Sequence, residues 1–155
     1  MPARATDNRI RVVEAAPPGF RQDIDIGGRH RLVADEPAEL GGTDTGPTPG
    51  ELLAAALGAC TTITLRMYAE RKRLALTRVS CEVRHDREPA DADAPAGGAG
   101  AMVDVFERRI TLDGTLDAAD IDRLLSIAGK CPVHRTLTAS ARIRTALADA
   151  DTTSD

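Results

Sequence analysis

Residues 48–68, TPGELLAAALGACTTITLRMY, constrain this chain more than any other stretch. Thr48, Pro49 and Glu51 spell a capping box with proline at the first helical position, which marks a helix start just ahead of an apolar run. Leu53, Ala56, Leu57, Cys60, Ile63, Thr64 and Met67 then recur at helical spacing, while Leu52, Ala59 and Tyr68 add apolar surface on another side. The pattern predicts a core helix buried nearly all round. Ala54, Ala55, Ala56, Gly58 and Ala59 keep its first half thin enough for another backbone to approach closely. Charge returns at Glu70-Arg71-Lys72-Arg73, where cations suit a helix C-terminus. The uninterrupted apolar stretch, Leu52 to Cys60, falls far short of the ~20 residues of a membrane span.

Around this helix the pattern alternates between strands and turns. Residues 9–13, 21–26 and 30–34 read as short strands, with Ile24 and Ile26 alternating with Asp23 and Asp25 in a half-buried period of two. The loop DEPAELGGTDTGPTPG is turn chemistry, ordered punctuation and not a flexible linker. Residues 77–85 form a strand with Val79, Cys81 and Val83 on its inner face, and residues 102–112 form the return strand of a hairpin. Residues 88–101, EPADADAPAGGAGA, lack the apolar side chains to pack and read as a mobile loop between the two. A second helix is expected over 117–128, with Ile121, Leu124, Leu125 and Ala128 buried and Gly129 closing it. Pro132 opens a short helix with Cys131 at its N-cap. A last strand is expected over 141–147 and a frayed acidic tail over 148–155. The order β-β-β-α-β-β-α-β, with strands clustered and not alternating with helices, argues for an α+β fold in a single domain covering 1–155.

Composition excludes several functions. The chain of 155 residues carries 20 Lys plus Arg against 24 Asp plus Glu, a formal charge of −4, which is no footprint for nucleic acid. Its three aromatic residues, Phe20, Tyr68 and Phe106, offer no stacking platform for single strands, and the core must be aliphatic. The opening MPARATDNRI lacks the apolar run and cleavage site of a secretory signal, so a cytoplasmic location, where thiols stay mostly reduced, is expected. No phosphate-binding glycine motif or G-x-S-x-G elbow occurs, so no cofactor is expected. Cys131 with His134, and Cys81 with His85, are weak metal-ligand pairs beside the paired tetrahedral sets of zinc sites.

The three cysteines are too few for a disulfide scaffold, so their chemistry points to redox or catalysis. Cys60, on the apolar stripe, is either a small core residue or a nucleophile activated by a cation that the fold brings to it. Cys131 is placed at a helix N-terminus beside Lys130, His134 and Arg135, where a thiolate is favoured, or is an ordinary cap. Cys81 reads as core.

The stretches HRLVADEP, LGGTDTGPTPGELLAAALGACTTITLRMYAERK and KCPVHRTL, in this order, resemble the OsmC/Ohr family of bacterial stress proteins. The resemblance runs from about Phe20 to Leu147. It implies an intertwined homodimer with curved antiparallel sheets from both chains around long central helices. It also implies a redox pair, Cys60 and Cys131, that reduces organic hydroperoxides: the helix cysteine becomes a sulfenic acid, the second condenses with it to a disulfide, and an external dithiol of lipoyl type resets the pair. In that branch an arginine stabilises the attacking thiolate; Arg21 is the first candidate here and Arg29 the second. The peroxidase branch carries Glu ten residues before its cysteine, where this chain has Gly50, and Glu51, the nearest carboxylate, is already explained by helix capping. The chain therefore resembles a less characterised OsmC-like branch more than the hydroperoxide reductases, and a redox-sensing or small-molecule-binding dimer is the alternative function.

Overall fold

The computed structural model describes residues 9–15, 17–90, 101–139 and 141–148. β1 (Ile10–Glu14), β2 (Gln22–Ile26) and β3 (His30–Ala34) form an antiparallel sheet in the order β1-β2-β3, with Val12, Ile24 and Leu32 in one cross-strand row. These strands fall where the alternation places them. The sheet packs on itself and has only sporadic contact with the rest of the chain. Ile10, Val12, Val13 and Leu32 are accordingly exposed.

The loop after β3 is held by Asp35, which is 1% exposed. Its carboxylate accepts hydrogen bonds from the backbone N–H groups of Glu36, Thr43 and Thr45 and from the hydroxyls of Thr43 and Thr45. These bonds, the Thr43 hydroxyl foremost, outweigh burial and keep the Asp35 carboxyl far below the usual carboxylate range. The loop is ordered punctuation, as its composition requires.

α1 (Pro49–Lys72) starts at the expected cap: Glu51 N–H donates to Thr48 Oγ1 at 3.2 Å and Thr48 N–H donates to Glu51 Oε2 at 2.7 Å. Its buried stripe, however, is Leu57, Gly58, Thr61, Leu65 and Ala69. Leu53, Ile63 and Met67 are 48%, 58% and 65% exposed, so the helix is not buried all round within one chain. The reason is supply. The hairpin, α2 and the short helix at 132–138 pack on α1, and among the described residues no further element covers the rest of its surface. α1 has the length and mean hydropathy of a membrane span, yet its Leu65–Ala69 face belongs to the core.

β4 (Ala75–Pro89) and β5 (Met102–Thr115) make one long antiparallel hairpin. Both strands outrun the expected bounds, because the cross-strand ladder runs on through Glu88↔Val103 and Pro89↔Met102 at one end and through Leu76↔Gly114 and Ala75↔Thr115 at the other, despite side chains of poor strand propensity. Residues 91–100, most of the expected loop, lie outside the described residues. Val79, Cys81, Val83 and His85 of β4 share the inner face with Leu112, Ile110, Arg108 and Phe106 of β5. α2 (Ala118–Ala128) is capped by Asp117, which accepts from Asp120 N–H at 2.7 Å. It buries Leu124 and Ala128 but leaves Ile121 and Leu125 exposed, contrary to the four-residue face expected, since α1 touches only one edge of it. Leu65, Ala69, Leu76, Leu124 and Ala128 form the core, ringed by Tyr68, Val79, Ile110 and Leu112.

α3 (Pro132–Thr138) follows, with Cys131 as its N-cap, as its proline predicts. Residues 141–148 are irregular and not the expected strand. Ile143 and Leu147 are 89% and 99% exposed, because neither sheet of the chain pairs an edge with this segment. Of the expected tail, 149–155 lie outside the described residues. The molecule is an α+β fold, in agreement with the order of its elements.

Candidate active site

Cys60 is half-buried on α1 and opens into a depression of about 690 Å³. Ile63, Met67, Tyr68 and Ile127 give that depression apolar walls, and Lys130 and Pro132 close one side. Those two residues flank Cys131 in sequence, so the fold brings the Cys131 segment to the side of α1 that carries Cys60. The Cys131 sulfur is completely buried. It accepts a hydrogen bond from His134 N–H at 3.3 Å and lies 3.9 Å from the hydroxyl of Thr61, the residue after Cys60. Both cysteines, like Cys81, are free thiols.

A cation packed around Cys131 is one that the sequence does not single out. Arg108 projects from the inner face of β5 opposite Val83. Its Nη1 donates to Thr61 Oγ1 and to the Ala128 carbonyl, both at 3.0 Å, and its Nη2 lies 3.3 Å from His134 Nδ1. A guanidinium only donates, so His134 accepts at Nδ1 and carries its proton on Nε2. The Thr61 hydroxyl in turn donates a hydrogen bond to the Leu57 carbonyl at 2.7 Å. Burial pushes the Cys81 thiol up, an effect that the positive charge of Arg108 opposes and Cys131 adds to. A period-two reading of Phe106, Arg108, Ile110 and Leu112 would have put Arg108 on the apolar face; the adjacent Glu107 and Arg109 disguise it as part of a solvated charge run.

The other expected residues lie elsewhere in the chain. Arg21 sits on the β1-β2-β3 sheet and pairs with Asp23 at 3.1 Å. Arg29 is exposed in the turn before β3, where its N–H donates to the Ile26 carbonyl. Glu51 spends its carboxylate on the Thr48 cap. Nine residues before Cys60, it is also turned about 180° round the helix from it. Gly50 faces His85: a Cβ there would stand 3.3 Å from His85 Nδ1. The His85 ring stacks on Phe106 at 4.2 Å between centroids and its Nε2 lies 3.0 Å from Asp104 Oδ1. Among the described residues no three His, Cys, Asp or Glu side chains are grouped to hold a metal ion.

The chain is thus an antiparallel α+β fold built on one central helix, with a cysteine on that helix and a second, buried cysteine lying against Thr61, the next residue of the helix. The model of the OsmC-like protein family matches residues 42–146, and the chain belongs to that family. No curated protein matches it significantly. Its fold is similar to that of an OsmC-like protein from Mycoplasma pneumoniae, with a TM-score of 0.66, 18% identity and coverage of 86% of this chain and 88% of that one. An organic hydroperoxide resistance protein OsmC from Legionella pneumophila is similar with a TM-score of 0.63, 19% identity and coverage of 88% and 92%. The organic hydroperoxide resistance protein OhrB of Bacillus subtilis follows with 0.57, 19%, 82% and 88%.

Proposed function

We propose that the protein is a thiol-dependent peroxidase of organic hydroperoxides, serving oxidative stress defence, with Cys60 as the attacking thiol and Cys131 as the resolving one. The observation that carries this reading is the apolar depression into which Cys60 opens, bounded by the residues on either side of Cys131. The names of the Legionella pneumophila and Bacillus subtilis neighbours support it. The Cys60 thiolate attacks the O–O bond of ROOH: an S–O bond forms, the O–O bond breaks, and the alkoxide leaves as ROH after taking a proton. Cys131 then attacks the sulfenic sulfur, forming the disulfide and releasing water. An external dithiol of lipoyl type exchanges with that disulfide and is itself oxidised.

The working unit of this reading is a homodimer in the cytoplasm. A second copy would cover Leu53, Ile63 and Met67 on α1 and offer a sheet edge to residues 141–148. Arg21 would have to reach Cys60 across that dimer, since within the chain it is held by Asp23.

The reduced protein with excess dihydrolipoamide should consume tert-butyl hydroperoxide over many turnovers. Cys60→Ser should abolish this, and Cys131→Ser should react once and then stall or over-oxidise. Sustained turnover by Cys60→Ser would sink the assignment. The second reading, a sensing or binding dimer, is favoured by Gly50, which stands where the peroxidase branch carries Glu and where even a Cβ would press on the His85 ring at 3.3 Å. Under it the wild-type protein reacts once and slowly.

A further inference from the structure

Arg108 is a half-buried cation with no ion pair among the described residues. Its guanidinium is divided among three neutral acceptors on three elements, and each bears on a cysteine. Thr61 follows Cys60 on α1 and lies against the Cys131 sulfur. The Ala128 carbonyl ends α2, where a helix leaves its last carbonyls without intrahelical partners, three residues before Cys131. His134 is the residue whose N–H donates to that sulfur. The turn Gly129-Lys130-Cys131 is thus clamped at both ends, and the clamp is anchored on α1 beside Cys60.

We propose that Arg108 is the positioning residue of the cysteine pair: by tying the end of α2 and the start of α3 to Thr61, it sets the approach of the Cys131 sulfur to Cys60 when the disulfide closes. The inference rests on the reading of Cys60 and Cys131 as a redox pair. A disulfide closes only when the two Cα atoms come within roughly 7 Å with their Cβ vectors turned together, so a turn free to swing spends little time in range. Lysine cannot replace this group. Its ammonium is a compact point charge, whereas the planar fork of arginine reaches three acceptors at once.

The test separates the two steps. In single-turnover experiments with tert-butyl hydroperoxide, dimedone traps the Cys60 sulfenic acid and mass spectrometry follows the disulfide. Arg108→Met should slow disulfide closure at least tenfold more than it slows sulfenic acid formation, with the dimedone adduct rising in proportion, and Arg108→Lys should not restore closure. Equal loss in both steps, or closure at the wild-type rate, overturns the proposal. If Arg108→Met does not fold, Arg108→Lys carries the same measurement. A second arm needs no peroxide: in a Cys81→Ser background, diamide oxidises the two thiols directly to the disulfide and is itself reduced to the hydrazine. Arg108→Met should slow that closure by a similar factor, and a wild-type protein that forms no Cys60–Cys131 disulfide with diamide overturns the inference. A wild-type protein that closes with diamide but forms no sulfenic acid with the peroxide refutes the peroxidase and leaves the positioning role to the diamide comparison.

Discussion

Asp35 and Arg108 are charged side chains turned inward for opposite reasons. Asp35 organises a loop through donors ten residues away or less, and its role follows from local Thr and Asp chemistry. Arg108 joins residues 47 and 20 positions away, which no local pattern encodes. The Asp35 carboxyl is depressed in the folded state, so its stabilising contribution is complete above the ordinary value of 3.8, where the unfolded chain is also ionised. Below that pH the unfolded state takes up the proton first, and the contribution falls as pH falls. Asp35→Asn should therefore lower the melting temperature at pH 7, with a deficit that narrows steadily on acidification below about pH 4. A deficit that stays constant from pH 7 to pH 3, measured by calorimetry, would show that the shape of the loop and not its ionisation is at stake. Cys131 was legible because capping is settled within three residues, through proline at the first helical position; that its sulfur is sealed under α1 was not.

At the scale of elements, the starts of all three helices could be read from residues one to three places away. Thr48, Asp117 and Cys131 each accept a hydrogen bond from the backbone N–H three residues on. Thr48→Ala removes one such bond and half of a capping box, and should cost about 1 kcal/mol by urea denaturation. A loss below a few tenths would mean that packing of α1 alone determines its start. The hairpin was placed correctly but made too short, because the reading stopped where strand propensity fell while the ladder of cross-strand bonds did not. Residues 141–147 show the converse error: Ile143, Thr145 and Leu147 alternate with Arg142 and Arg144 as a strand should, yet the segment lies against none of the open strand edges of the two sheets, and alternation alone cannot supply a partner.

At the scale of the molecule, the three-stranded sheet makes few contacts with the helix-and-hairpin core, and α1 keeps an apolar side uncovered. Ile63 and Met67, each worth roughly 1.5–3 kcal/mol when buried, are left in solvent by one chain. In the homodimer proposed above, a second copy would cover them, which would account for a helix that is apolar beyond its own core stripe. Met67→Glu should weaken the dimer at least tenfold in sedimentation equilibrium, while a far-UV spectrum unchanged from wild type shows the fold intact; an undiminished dimer would place the interface elsewhere. Helix starts, strand alternation and the α+β order were determined by the sequence itself, since they depend on contacts within a few residues whose geometry the backbone sets. Only the tertiary structure decided that Leu57, Thr61, Leu65 and Ala69 are on the buried stripe of α1, that Arg108 reaches Thr61, and that Cys131 lies 3.9 Å from a residue 70 positions earlier. Every face of an apolar helix is equally suited to burial, and which one is covered depends on where distant elements come to rest.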